Sequence, residues 1–418
     1  MTTGTLFSSV VPGARDRAGN DPIFALNAEA ARRAAAGESI VNATLGALMT
    51  DDGRLAVMPT VLETMARALD ATTAGYAPIA GAPAFLRASI ADLFGERAVA
   101  NQAVAAATPG GTGAIYQAVV NFLEPGQRLL TTSYFWGPYR EIAGHAGRDV
   151  DTFEMFSPKG GFDIDGLATA LDRHLSTQGR ALVALNFPCH NPTGYSLTEA
   201  EWRAVADQVR RAGEVGPVTL LLDCAYLRFG GTAAEAWVHA VPKLLETITV
   251  AFAWTASKSF AQYGARVGAL VALHRDEAER AQIANALGYT CRATWSNCNH
   301  LGQRAVTELL ADAELRRRTD RERQGLVALL GGRIAAFNDA AEAVGLSMPR
   351  YDSGFFVTVF SPNGAATAAS MREAGVYVVP VSGGVRVALC SVAEADVPRL
   401  VDALGDGVRA ARAYGGRT

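Results

Sequence analysis

The strongest constraint on the fold is a series of short apolar segments in the middle of the chain, separated by amphipathic stretches. They are "RLLTTSYF" (128–135), "ALVALNFP" (181–188), "VTLLLDCAY" (218–226), "TITVAFAW" (247–254) and "RVGALVAL" (266–273). Strands covered by helices on both faces read this way, because neither face meets water. Between the second and third, Trp202, Val205, Ala206 and Val209 fall at i, i+3, i+4 and i+7 and mark an amphipathic helix. The alternation predicts an α/β domain, a mostly parallel sheet sandwiched by helices. After about residue 300 the pattern changes. An Arg-rich helical region (303–345) leads to strands at 354–360, 376–381 and 384–390 and a closing helix, a smaller α+β domain. The segment 19–55 has no clear core of its own and is expected to pack on that domain as an arm. The resulting division is 1–55, 56–305 and 306–418, which suits a chain of 418 residues.

Composition narrows the function. Thirty-eight Lys+Arg against forty-one Asp+Glu leave a net charge of −3, with no basic run for nucleic acid or an anionic membrane. No apolar run approaches the roughly 20 residues of a membrane span. The first residues lack a basic region followed by an apolar stretch, so no signal peptide is expected. Cys189, Cys224, Cys291, Cys298 and Cys390 form no CxxC pair, and this odd, scattered set argues for reduced thiols in a cytoplasmic protein. Cys189-His190 has no second ligand pair nearby, so no metal site is expected.

Ligands of open α/β sheets bind outside the carboxyl ends of the strands. Here those ends deliver Trp136, Asn186, Asn191, Asp223, Tyr226 and Lys258. "ATPGGTGAIYQAVVNFL" (107–123) is a Gly-rich turn opening an apolar helix. It reads either as a phosphate site at a helix N-terminus or as a tight turn with Thr112 as N-cap. Asp223, at the end of a buried strand, needs a cation, a cap or a protonated pyridine nitrogen as partner. Tyr226 lies three residues on, within reach of the same ligand. Asn191 opens an Asn-Pro-Thr-Gly turn at the same sheet edge. Lys258 follows "TAS" at a strand end, with Arg266 eight residues later. It reads as a snorkelling lysine, or as an amine of lowered pKa that condenses with a carbonyl.

The order GGTG, Trp136, NPTG, Asp-x-x-Tyr and Ser-Lys with Arg eight residues on resembles class I aminotransferases, in particular the aspartate and aromatic amino-acid branch. These are pyridoxal phosphate enzymes of fold type I. The resemblance covers nearly the whole chain, since "NATLGALMTDDG", "GYAPIAGAPAFLRA", "CRATWSNCNH" and "GGVRVALC" look like further segments of that family. It implies that Lys258 carries pyridoxal 5'-phosphate and moves protons, that Asp223 pairs with the ring nitrogen, and that Tyr226 and Asn191 meet the ring oxygen. Trp136 would stack on the ring, and Gly110, Gly111, Thr112, Thr255 and Arg266 would hold the phosphate. Arg386 would clamp the substrate α-carboxylate, with Gly46, Asn191 and Trp136 beside it. Tyr76 and Arg292 would reach the site from the second subunit of a homodimer.

The implied reaction moves an amino group between an acidic or aromatic L-amino acid and a 2-oxo acid such as 2-oxoglutarate. Departures from the family pattern fall on the side-chain pocket: Trp295 where Tyr is usual, Thr255 where Ser is common, and Cys298-Asn299 in place of Pro-Pro. Elimination, decarboxylation or oxidation of an amino acid by the same cofactor residues is the alternative. A ligand-sensing regulator on the same body would need a DNA-binding extension, and no basic module precedes residue 40.

Overall fold

In the computed structural model, which describes residues 9–15, 17, 19 and 21–415, the apolar segments are strands buried along almost their entire length. Twelve strands follow in chain order among the described residues. They are β1 (Val41–Asn42), β2 (Ala103–Pro109), β3 (Arg128–Thr132), β4 (Asp149–Phe153), β5 (Ala181–Leu185), β6 (Val218–Asp223), β7 (Thr249–Thr255), β8 (Val267–Leu273), β9 (Phe356–Phe360), β10 (Val376–Tyr377), β11 (Val379–Val381) and β12 (Gly384–Ala388). Seven form one sheet in the order β2-β8-β7-β6-β5-β3-β4. Neighbours from β4 to β7 run parallel, and β8 runs antiparallel to both β7 and β2. The fold is therefore the α/β class with a mostly parallel sheet.

Alternation along each strand sorts the two layers. Leu182, Ala184, Leu221, Ala251, Ala253, Leu270 and Ala272 face a cluster containing Ala114, Ile115, Ala118 and Val119 of the helix Gly110–Phe122. Val183, Leu185, Leu220, Leu222, Val250 and Phe252 face the opposite layer, where Trp202, Val205 and Val209 lie. That helix, Glu199–Gly213, starts with Thr198 and Glu201 in a reciprocal capping box and buries the face its spacing predicts.

Two strands of the large sheet escaped the sequence reading. β2 is mostly alanine and β4, "DVDTF", lies at the sheet edge with only Val150 and Phe153 buried, so neither carries a strong apolar signal. The helical region 303–345 is two helices, His300–Ala311 and Ala313–Ala343, separated at Asp312, whose carboxylate caps the second. The segment 376–381 divides between two sheets: β10 pairs in parallel with β1, whereas β11 joins β12 and β9 in an antiparallel sheet. Val41, Ala43 and Leu48 share a core with Phe356, Val357, Val385 and Leu404. Leu326 of the helix Ala313–Ala343 packs against both this core and that of the large sheet. No helix among the described residues is long and apolar enough to cross a membrane.

Candidate active site

Three strand ends meet because β8 runs backwards. Its register sets Gly268 between Thr108 of β2 and Thr255 of β7, so Arg266, just before β8, lies at the edge where β2 and β7 finish. The approach is so close that a Cβ on Gly268 would lie 2.6 Å from the Gly110 carbonyl carbon. A Cβ on Gly110 (φ +73°) would lie 2.4 Å from Arg266 Nη2, so only glycine serves at either position. Arg266 itself has φ +53°. Its Nη1 donates to the Tyr263 carbonyl (2.9 Å) and to Ser257 Oγ (3.3 Å), and Nη2 donates to the Pro109 carbonyl (3.3 Å). Beside it starts the helix Gly110–Phe122, whose first turn has no side-chain cap. Thr112 is therefore the third helical residue and not the N-cap, because the helix opens directly at Gly110. A guanidinium, an uncapped helix N-terminus and the hydroxyls of Thr255 and Ser257 make this corner a cradle for a phosphate.

Thr255 ends β7 and caps the short helix Ala256–Ser259 by accepting the Ser257 N–H (3.2 Å). That turn projects half-buried Lys258 into a chamber of about 210 Å³. Gly111, Thr112, Trp136, Asn191, Asp223, Tyr226, Thr255 and Arg266 line the same chamber. Among the described residues Lys258 Nζ makes no hydrogen bond or ion pair, and it sits 5.1 Å from the centre of the Tyr226 ring. Burial pulls its pKa below the ordinary lysine value; Asp223 opposes this and Arg266 reinforces it.

Asp223 is 4% exposed at the end of β6. Oδ2 accepts the Tyr139 hydroxyl (2.8 Å) and Oδ1 accepts the Ala225 N–H (3.1 Å). Burial pushes the carboxyl pKa up, while Tyr139, Lys258 and the Ala225 N–H pull it back. Asn186 Nδ2 donates to the Asp223 carbonyl (2.9 Å), and Asn186 Oδ1 accepts the Asn191 N–H (2.8 Å). Asn191 Nδ2 in turn approaches the Tyr226 hydroxyl (3.4 Å), whose pKa burial raises strongly. One asparagine thus ties the β5 and β6 ends together.

Trp136 and Asn191 also line a second, larger chamber of about 980 Å³, with Arg386, Tyr134, Phe135, Asp21 and Glu141. Arg386, on β12, is 7% exposed. Its Nη2 donates to the Thr44 carbonyl (2.7 Å), its guanidinium lies 4.5 Å over the Phe356 ring, and its buried Nε has no partner among the described residues. Burial lowers its pKa, against Tyr226, Cys390 and Asp21. Gly46 packs on the same ring, where a Cβ would lie 2.4 Å from Phe356 Cζ. A buried guanidinium with an idle donor can receive a carboxylate.

Tyr76 and Arg292 do not join either chamber. Tyr76 is 93% exposed, and exposed Arg292 closes on its own helix end, donating to Ser296 Oγ (2.8 Å). Trp295 is half-buried edge-on to Tyr116, and Cys298 is buried. Cys189 approaches Ser353 (3.4 Å), and His190 engages Thr193 (2.8 Å). All five thiols are free and buried. Tyr139, Ser257, Tyr263 and Phe356 are the residues that sequence reading passed over. Ser257 and Tyr263 flank Lys258 in sequence, which was a usable signal, whereas nothing local linked Tyr139 to Asp223 or Phe356 to Arg386.

The chamber chemistry fits a flat, phosphorylated pyridine aldehyde. Among the described residues the amine has no competing partner and the buried carboxylate has no ion pair, and the anion cradle stands at one end.

A family model described as aminotransferase class I and II matches residues 39–404. The aromatic-amino-acid aminotransferase of Pseudomonas aeruginosa is 31% identical over 233 residues, 54% of this chain and 55% of that protein. That of Paracoccus denitrificans is 29% identical over 302 residues, 71% of this chain and 74% of that protein. Among solved structures, an aminotransferase from Anaerococcus prevotii superposes with a TM-score of 0.89 at 31% identity, covering 96% of this chain and all of its own. An aromatic-amino-acid aminotransferase from Burkholderia pseudomallei, covalently bound to pyridoxal phosphate, superposes with a TM-score of 0.77 at 26% identity, covering 94% and 98%.

Proposed function

The chain belongs to the class I and II aminotransferases, enzymes that use pyridoxal 5'-phosphate, and from that premise we propose how its two chambers divide the work. The cofactor supplies a carbonyl that takes up an amine and a ring that accepts the electron pair left at Cα. Lys258 Nζ would hold the cofactor by condensing with its aldehyde, with loss of water, and once freed would remove the substrate Cα proton, a role its depressed pKa suits. Asp223 keeps a proton on the ring nitrogen, Tyr226 and Asn191 donate to the ring oxygen, and Trp136 covers one face. Gly110, Gly111, Thr112, Thr255 and Arg266 hold the phosphate. In the second chamber Arg386 binds the α-carboxylate, and Gly46, lacking a Cβ, lets its backbone lie against the Phe356 ring that the guanidinium covers. The observation that carries this reading is the convergence of Lys258, Asp223, Tyr226 and Arg266 on one chamber of about 210 Å³.

The substrates are an acidic or aromatic L-amino acid and a 2-oxo acid, with 2-oxoglutarate as acceptor. Relatives named as aromatic-amino-acid and aspartate aminotransferases support the class, and Tyr134, Phe135 and Trp136 line the larger chamber. Tyr76 and Arg292 belong to the site of a second copy in a homodimer, which accounts for a tyrosine left 93% exposed. The chain divides at residues 55 and 305, and its free thiols suit the cytoplasm. The test is a panel of L-amino acids given to the holoenzyme without acceptor. Transamination releases one equivalent of 2-oxo acid per site and then stops until 2-oxoglutarate is added. Continued turnover without acceptor would instead mean elimination, decarboxylation or oxidation.

A further inference from the structure

Asp223 is the one buried carboxylate facing the chamber, and among the described residues no arginine, lysine or histidine bonds to it. Among the described residues its only side-chain donor is Tyr139, whose hydroxyl makes a single hydrogen bond, the one to Oδ2 at 2.8 Å. Tyr139 is itself 1% exposed. It sits in the first turn of the helix Pro138–His145, with its N–H donating to the Trp136 carbonyl (2.9 Å). Its ring lies nearly parallel to Phe135 (centroids 6.4 Å apart, 14°) and edge-on to Trp136 (5.7 Å, 88°). The phenol is thus fixed by three consecutive contacts, not drawn from solvent. With Oδ1 turned to the Ala225 N–H, both carboxylate oxygens are oriented before any ligand arrives.

We propose that Tyr139 is a positioning residue that sets the orientation and basicity of Asp223, so that the proton shared with the cofactor's ring nitrogen stays on nitrogen. The proposal rests on the assignment of Asp223 to that nitrogen. A carboxylate that loses a donor becomes more basic and draws a shared proton toward itself. The ring would then be a poorer electron sink. Tyr139 suits the task because burial and the Asp223 charge both push its own pKa far up, so it remains a donor throughout the working pH range.

Tyr139→Phe keeps the aromatic packing and removes only the hydroxyl, which separates positioning from filling space. The holoenzyme is loaded with cofactor carrying ¹⁵N in the ring, and the nitrogen chemical shift is read beside steady-state kinetics. Tyr139→Phe should move the shift toward that of unprotonated pyridine. It should also lower kcat on the order of tenfold to a hundredfold, the worth of one hydrogen bond to a charged group, with the amino-acid KM unchanged. Asp223→Asn is measured in parallel. If it leaves the nitrogen shift at the wild-type value, the Asp223 assignment falls and this inference with it. If Asp223→Asn moves the shift and Tyr139→Phe does not, the assignment stands and the role of Tyr139 is overturned. Should Tyr139→Phe not fold, 3-fluorotyrosine at position 139, a stronger donor, should move the ring-nitrogen shift further toward that of protonated pyridine at fixed pH. No change, or a change in the opposite sense, would overturn the proposal.

Discussion

The chamber around Lys258 and the surface carrying Tyr76 and Arg292 rest on sequence motifs of the same kind, yet one is closed within a single chain and the other faces solvent. In the chamber, most wall residues lie at or next to the end of a strand of one sheet, and covalent continuity with buried strands leaves them little freedom. Tyr76 and Arg292 hang on a loop and on the last turn of the helix Glu277–Thr294. The difference teaches that a strand end carries its own address, whereas a helix end or loop acquires one from whatever packs against it. If a second copy supplies that packing, the two regions form one site.

The sharpest way to break the comparison is at Lys258. Lys258→Ala should lower turnover by up to about 10⁴-fold, the scale of a positioned general base. Borohydride treatment of the wild-type holoenzyme followed by peptide mapping should place the pyridoxyl group on Lys258; a label elsewhere would remove the chamber from the mechanism.

Arg292 tests the exposed side. If it meets a distal carboxylate in a closed site, Arg292→Ala loses about 3–5 kcal/mol, roughly 10²–10⁴-fold in KM, for acidic substrates and little for aromatic ones. Equal effects on both classes would return Arg292 to a surface role.

Subunit mixing joins the two regions directly. Lys258→Ala subunits combined with Tyr76→Phe/Arg292→Ala subunits should recover about one quarter of wild-type activity, since half the dimers are hybrids with one intact site. Sedimentation of the active enzyme as a monomer would contradict the shared site.

A last test concerns stability. His190, 1% exposed beside the chamber, has its pKa driven down to about 3 from 6.5 by burial. The folded state keeps it neutral, so its contribution is complete above pH 6.5 and is lost as pH falls from there toward 3. Linkage puts that loss at about 4–5 kcal/mol over the whole interval. Denaturant melts of the holoenzyme should therefore weaken across this interval, and His190→Gln should flatten the slope. Parallel slopes for the two proteins would show that His190 is already charged when folded.

Much of this protein was decided locally. Short uninterrupted apolar runs alternating with amphipathic stretches read as strands buried on both faces, and the polar residue that ends such a strand emerges at the sheet edge. That logic alone places Asp223, Asn191 and Lys258 on one side of the molecule, and the ordered motifs extend it to the family. Tertiary structure decided what separate segments do to one another. The antiparallel insertion of β8 brings Arg266 against Gly110, a contact that no spacing within either segment encodes. The pairing of Tyr139 with Asp223 depends on β3 and β6 lying two places apart in the sheet. The division at Val378, which sends β10 to β1 and β11 to β12, joins the N-terminal segment to the strand bearing Arg386. The physical reason is range: burial and turn preferences act over a few residues and are written in them, whereas strand order and side-chain partners depend on surfaces that exist only once distant segments have packed.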